Sequence, residues 1–499
     1  MAELDSGNKE RIVTGVEGLD PILGGGLLRN NLYLVKGPAG AGKTTLALQF
    51  LLEGARRGEK CLYLGLSETR GQLGVIARSF GWSLDGVNIY EMRRRGEEQG
   101  ERANYTVFSP SEFELEQIAR ELLEQVDRVR PDRLVIDSLS EIRLLTGDPY
   151  RYRRELLALS DHITACVGAG LLIDVEGTDP ASQVAETLVA GVIQLEQLAP
   201  AYGGERRRLR VRKLRASRSI GGYHDFSIHN HGVEVHPRLV AATHRAAHSS
   251  AEVSSGIAEL DTLLGGGIDR GTSTVLMGPA GSGKSTVALQ FVTAAAERGE
   301  ASVIFCFDES PTNLLVRARG LGIPIEGHVQ SGRVRIDAID PAELSPGELA
   351  HRAQKEVDRG VRVVVIDSLN GFLTAMLDDR FLGAHLHELL AYLSEKGVAT
   401  ILTIAQRGFI SVDEAPVNVT YIADTVMLFR YFEAMGAVRQ AISVVKKRTG
   451  AHERTIRELT LGPTGVRIGP PITEFQGVLT GDPVFVGSVE AGGEIVPAR

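Results

Sequence analysis

Long apolar runs, cysteine and excess positive charge are all scarce in this chain. No stretch approaches the roughly 20 apolar residues that a membrane-spanning helix needs. Met1 to Arg11 is polar and charged, which is not the pattern of a secretory leader. The three cysteines, Cys61, Cys166 and Cys306, are odd in number and set in apolar surroundings. They read as reduced core residues, not as a disulfide or zinc framework. Together these absences point to the cytoplasm and away from any membrane. Lys and Arg total 55 against 63 Asp and Glu, a formal net charge of -8. Such a balance leaves no cation excess to displace counterions along a nucleic-acid backbone, which argues against a general nucleic-acid binder. The one dense basic stripe is Arg206-Arg207-Arg208-Leu209-Arg210-Val211-Arg212-Lys213.

What is present is ordinary in bulk and distinctive in pattern. The chain has 499 residues, 43% hydrophobic and 24% charged, a soluble globular composition with room for about two to four domains. One glycine-rich string occurs twice, as Gly37-Pro38-Ala39-Gly40-Ala41-Gly42-Lys43-Thr44 and as Gly278-Pro279-Ala280-Gly281-Ser282-Gly283-Lys284-Ser285. Both fit G-x-x-x-x-G-K-[ST], in which glycines let successive backbone N–H groups converge on phosphate oxygens. The lysine neutralises β/γ charge and the Thr or Ser hydroxyl ligates Mg²⁺. A nucleoside triphosphate and Mg²⁺ are therefore the expected ligands. The nucleotide-binding set is Gly37, Gly40, Ala41, Gly42, Lys43, Thr44 and Thr45, and in the second copy Gly278, Gly281, Ser282, Gly283, Lys284, Ser285 and Thr286.

Sliding the chain on itself by 241 residues aligns more than the loops, since Gly15, Leu19-Asp20 and Gly24-Gly25-Gly26 fall on Gly256, Leu260-Asp261 and Gly265-Gly266-Gly267. Ala47-Leu48-Gln49-Phe50 falls on Ala288-Leu289-Gln290-Phe291, Glu68 on Glu309, and Ala77-Arg78 on Ala318-Arg319. A duplicated domain is the organising fact, and its period is too long for a solenoid. Boundaries are expected at 1–245, 246–470 and a tail over 471–499, with a linker in the weakly periodic stretch Ala241 to Ser255. Apolar strands such as Leu32–Val35, Cys61–Leu66, Leu134–Asp137 and Val363–Asp367 alternate with helical spacing, as over Thr44–Arg57 and Ser111–Arg130. That alternation predicts an α/β fold with a mostly parallel sheet covered on both faces in each copy. A β-rich extension follows in each, with hairpins at His231-Gly232 and Pro463-Thr464-Gly465.

Carboxylates close several of these strands. Asp137 and Asp367 end matching apolar strings and are followed by Ser-Leu in both copies. A carboxylate at the C-terminal end of a parallel strand points to the ligand side of the sheet and can hold Mg²⁺ through water. Thr44, Asp137, Ser285 and Asp367 are thus the metal candidates; the alternative for the aspartates is a helix cap. Glu68 in the first copy, and Asp308 with Glu309 in the second, end the strand after the loop helix. There they are placed to orient or deprotonate the water attacking a γ-phosphate. The first copy has one carboxylate where the second has two.

The doubled core, the Gly-Gly-Gly run, Asp308-Glu309 and the string Ala423-Asp424-Thr425-Val426-Met427-Leu428-Phe429-Arg430 together resemble the KaiC circadian-clock ATPases, from about Val13 to Gly477. The resemblance implies tandem RecA-like P-loop domains stacked as two hexameric rings, with ATP between neighbouring subunits. The family's Lys-x-Arg strand falls on Lys213-Leu214-Arg215 and Lys446-Lys447-Arg448, which implies that Lys213, Arg215, Lys446 and Arg448 reach the γ-phosphate of the adjacent subunit. It also implies serine/threonine autophosphorylation in the second domain. The family's Ser-Thr acceptor pair falls on Thr420-Tyr421, leaving Thr420 as the acceptor candidate and Asp308 as the match for the activating carboxylate. Clock or signalling proteins are the implied partners. Two other functions fit the loops: a RecA- or RadA-like recombinase or helicase, disfavoured by the acidic balance, and an oligomeric scaffold that ATP merely stabilises.

Overall fold

The computed structural model describes residues 11–92, 110–146, 148–177, 180–200, 203–240, 251–375, 382–406, 419–480 and 483–487. Most of the expected linker and the end of the expected tail lie outside these residues. The chain divides into two compact units, residues 1–200 with 205–238, and residues 201–204 with 239–499.

In the first unit, nine strands form one sheet. From one edge they run Val87–Glu91, Cys61–Gly65, Arg133–Asp137, Ala169–Val175, Asn31–Gly37, Gly191–Leu198, Arg206–Leu214, His224–His229 and Gly232–His236. Pairing is parallel as far as Gly191–Leu198 and antiparallel beyond it. The second unit repeats this order with Val334–Ala338, Ala301–Cys306, Val361–Asp367, Ala399–Ala405, Ser273–Gly278, Thr425–Ala434, Ala437–Lys447, Arg457–Gly462 and Gly465–Pro471. The β-rich extension is therefore no separate layer. It continues the parallel sheet, because the last parallel strand turns straight into an antiparallel neighbour.

Alternation along the central strands explains the two-sided burial. Tyr33 and Val35 enter one core with Phe50 and Leu51 of the loop helix Lys43–Arg56, while Leu32 and Leu34 enter another with Leu156 and Ile163 of helix Pro149–Cys166. The second unit does the same: Leu276 faces Phe291, and Val275 faces Leu386. Cys61 and Cys306 are buried, which pushes their thiols up to about 11 and about 12, while Cys166 is only half-buried. Residues 472–480, read in the sequence as the start of a tail, pack on the second unit. There Val478 is fully buried beside Phe432 and the Ile472 N–H donates to the Ile456 carbonyl at 2.7 Å. Among the described residues no helix is long and apolar enough to cross a membrane.

Candidate functional site

Each loop leaves the C-terminal end of a central strand and becomes the N-terminus of a fourteen-residue helix, Lys43–Arg56 or Lys284–Glu297. Gly42 (φ 94°) and Gly283 (φ 101°) cap these helices in the left-handed region, which strains any residue with a Cβ. At Gly42 a Cβ would also lie 2.7 Å from Ile228 Cδ1, the movable tip of a side chain, so the positive φ is the stronger requirement for glycine. The turn aims the free N–H groups of the first helical residues into the loop, at the positive end of the helix dipole. That cradle suits phosphate.

The lysines lie inside this cradle. Lys43 Nζ donates to the carbonyls of Gly37 and Pro38 at 2.9 and 2.7 Å, and Lys284 Nζ to those of Gly278 and Pro279 at 2.9 and 2.6 Å. Burial pulls both ammonium groups down. For Lys43, Asp137, Asp174 and Glu176 oppose that pull; for Lys284 only Asp367 does, and its pKa falls to about 8. The register explains the difference, because Gly37 pairs with Val175 and Gly278 with Ala405, so Ile404 and Gln406 stand where Asp174 and Glu176 do. Ala41 and Ser282 are fully buried under their loops, with Ser282 Oγ donating to the Pro279 carbonyl at 2.8 Å. Thr45 is half-buried and Thr286 buried.

Hydroxyl and carboxylate meet in both copies. Thr44 Oγ1 donates to Asp137 Oδ2 at 2.9 Å, and Ser285 Oγ donates to Asp367 Oδ1 at 2.9 Å. These hard oxygen donors beside a phosphate cradle fit a magnesium ion. The supports differ. Tyr63 OH also donates to Asp137 Oδ2, at 2.8 Å, whereas Asp367 takes its second bond from the Thr403 hydroxyl. Burial raises the Asp137 carboxyl above its ordinary value, against the bonds from Tyr63 and Thr44 and the charge of Lys43. The peptide bond after each aspartate is cis.

The remaining carboxylates separate the copies further. Glu309 is gripped by Arg317, with Nη2 at 2.6 Å from Oε2 and Nε at 3.3 Å from Oε1, and Arg317 Nη1 also reaches the Thr286 hydroxyl at 3.4 Å. Ile76 stands in place of that arginine in the first copy, and no cation among the described residues pairs with Glu68. Asp308 accepts a hydrogen bond from the Ser368 hydroxyl.

Lys213, Arg215, Lys446 and Arg448 are not brought to their own loops. Gly191, which starts the strand parallel to Asn31–Gly37, pairs with Leu214, so this stretch lies at the end of the sheet opposite the loop. There Lys213 Nζ donates to the Glu186 and Thr187 carbonyls (2.7 and 3.2 Å), and Arg215 Nη2 to Thr187 (3.1 Å). In the second copy Lys446 Nζ donates to the Ala423 carbonyl at 2.6 Å and Arg448 Nη2 to that of Tyr421 at 2.7 Å. Thr420 lies in the short helix Val419–Ile422 at this same far end, before Thr425, which pairs with Thr274. Its side chain lies outside the described residues. Asp308 follows Cys306, which pairs with Asp367 at the loop end. Within one chain, then, Asp308 and Thr420 stand at opposite ends of the sheet.

Sequence patterns do not point to Tyr63, Thr403 or Arg317. Arg317 lies in helix Pro311–Gly320 while Glu309 precedes its cap Ser310, so no helical spacing links the two, and Tyr63 and Thr403 meet their aspartates only through strand pairing. Lys36 and Glu176 border the first loop, and a lysine directly after the apolar run Leu32–Val35, still within the strand, was a readable sign.

The family of ATPases described as KaiC matches residues 12–240 and 253–473. Over 502 residues, 98% of both chains, the sequence is 26% identical to the circadian clock protein KaiC3 of Synechocystis sp.. It is also 26% identical to the circadian clock oscillator protein KaiC of Acaryochloris marina and to that of Synechococcus elongatus, covering 95% of this chain and 92% of each relative.

Proposed function

The chain belongs to the KaiC ATPase family, and from that premise we propose that it hydrolyses ATP at two unlike sites, one per domain, in a cytoplasmic hexameric ring. The observation that carries this reading is the pairing of each loop hydroxyl with a strand-end carboxylate, Thr44 with Asp137 and Ser285 with Asp367, beside a helix N-terminus. Mg²⁺ held there would neutralise charge between the β- and γ-phosphate oxygens. Glu68 and Glu309 orient the attacking water and draw off its proton. Lys213 and Arg215, with Lys446 and Arg448, lie at the end of the sheet away from their own loops and serve the site of the neighbouring subunit, stabilising charge on the transferring phosphoryl group.

The second domain has the further role of phosphorylating itself at Thr420, with Asp308 of an adjacent copy activating the hydroxyl. Tyr421 replaces the second acceptor, so the cycle has one phosphate and no ordered pair. Such a protein acts in signalling or timing, in keeping with relatives named as circadian clock proteins. Phosphate release from Glu68→Gln and Glu309→Gln variants is the test: each silences its own half, and if neither alters turnover the protein is a nucleotide-bound scaffold. Incubation with γ-labelled ATP and phosphosite mapping checks the second role, which fails if no label appears between Ser411 and Thr425 while hydrolysis persists. Intact-mass measurement with and without ATP reads subunit number.

A further inference from the structure

Lys36, one residue before the first phosphate loop, is 8% exposed and directly follows the apolar run Leu32–Val35 of its strand. A buried ammonium persists only when paired. Its Nζ donates to Glu186 Oε1 at 2.7 Å and lies 3.7 Å from Glu176 Oε1. Glu176 is tied to the loop in turn, because its N–H donates to the Gly37 carbonyl at 3.1 Å, and its carboxylate accepts from Gln194 Nε2 at 2.6 Å.

Glu186 faces two ways. It lies near the end of helix Pro180–Leu188, where side chains lean back toward the helix N-terminus and the last carbonyls have no partner in the helix. Its carboxylate therefore reaches back to Lys36, with Arg212 Nη1 at 3.4 Å, while its carbonyl accepts Lys213 Nζ at 2.7 Å. The helix end is also the negative end of a dipole, which favours the two cations placed on it. These groups border one open cavity of about 740 Å³.

The second copy is built otherwise. Met277, in register with Ile404 and Leu428, stands where Lys36 stands against Asp174 and Gln194. Counted back from the equivalent strand starts Gly191 and Thr425, Glu186 occupies the position of Thr420.

We propose that Lys36 and Glu186 form a strut that positions Lys213 and Arg215. Through it the state of one subunit's own first loop, transmitted by Gly37, Glu176 and Lys36, sets the placement of the cations offered to the next subunit. The strut rests on the reading that Lys213 acts across a subunit boundary. Lys36 and Glu186 are positioning residues, and they belong to the first half alone.

The experiment measures phosphate release against ATP concentration in the full chain, with Glu309→Gln silencing the second half. Lys213→Ala lowers kcat about tenfold or more. Lys36→Met, which installs the residue of the second copy, lowers kcat about three- to tenfold with KM little changed, and Lys36→Arg restores most of it. Because Lys36 acts through Lys213, the double variant Lys36→Met/Lys213→Ala is no slower than Lys213→Ala alone. Glu186→Gln keeps the carbonyl and removes only the ion pair, so it gives the kcat loss of Lys36→Met and stands in if that variant fails to fold. The strut is overturned if Glu186→Gln keeps the wild-type kcat, or if the two losses multiply in the double variant. If Lys213→Ala itself leaves kcat unchanged, the reading across the subunit boundary fails first and takes the strut with it.

Discussion

The two phosphate loops share one motif and one backbone, yet their lysines sit in different electrostatic surroundings. Asp137, Asp174 and Glu176 all support the charge on Lys43, while Asp367 alone supports it on Lys284. The catalytic candidates differ in the opposite sense: Glu68 has no described cation partner, and Glu309 is gripped by Arg317. A motif thus sets the cradle, and the neighbouring strands and helices set the charge within it. The loops are copies; the sites are not.

The largest effect tests whether the halves share any chemistry. Asp137→Asn and Asp367→Asn should each reduce phosphate release from their own half on the order of a hundredfold or more, read with the other half silenced by the Glu→Gln change. A half that hydrolyses normally without its aspartate would break the comparison at its root.

Next comes pH. Binding an anionic phosphate favours the charged lysine, and Lys284 is charged below about 8 and neutral above it. Nucleotide affinity of the second half should be flat below that pH, then fall by up to about tenfold per pH unit as it rises. The first half, whose lysine is held by three carboxylates, should begin its decline at higher pH. Fluorescent-nucleotide titrations of Lys43→Ala and Lys284→Ala chains isolate each half, and coincident curves would erase the distinction.

A smaller change sharpens the second contrast. Arg317→Ile gives Glu309 the surroundings of Glu68 and should raise second-half turnover about three- to tenfold in a Glu68→Gln background, since a carboxylate freed from an ion pair is a better proton acceptor. A fall would instead make Arg317 part of the phosphate site.

The smallest is structural. Tyr63→Phe removes one of the two hydroxyl bonds to Asp137, the other coming from Thr44, and should cost about 1–2 kcal/mol in denaturant unfolding of the first unit. Ile304, at the matching place, makes no such bond, so Ile304→Val should cost only its methylene, about 1 kcal/mol.

Much of this was legible in the chain. The loops, the strand-closing aspartates and the alternating apolar strands carry local signals, and so does the hairpin turn at Pro463-Thr464 between Gly462 and Gly465. What was hidden depends on which strands become neighbours. Tyr63 meets Asp137 because Cys61–Gly65 pairs with Arg133–Asp137, and no spacing within either strand reveals that. The same holds for Thr403, and for the β-rich extension, whose own alternation does not say which edge it joins. Asp308 and Thr420 both read as second-domain phosphotransfer residues, but strand direction puts them at opposite ends of one sheet.

The matching strand registers have a consequence for how such a chain can be rebuilt. Tyr33 falls on Thr274, Arg133 on Val363, Gly191 on Thr425 and Leu209 on Ile442, each within the same place in the strand order, while the intervals between them differ. Since duplication, length has been gained and lost in the connections, and the sheet has kept its frame. The two halves therefore share one strand frame, and exchanging a first-half segment such as Gly191 to Leu214 for Thr425 to Lys447 would keep every strand pairing in register while changing the side chains it presents. Such an exchange moves the local chemistry of one half onto the frame of the other without moving the frame itself.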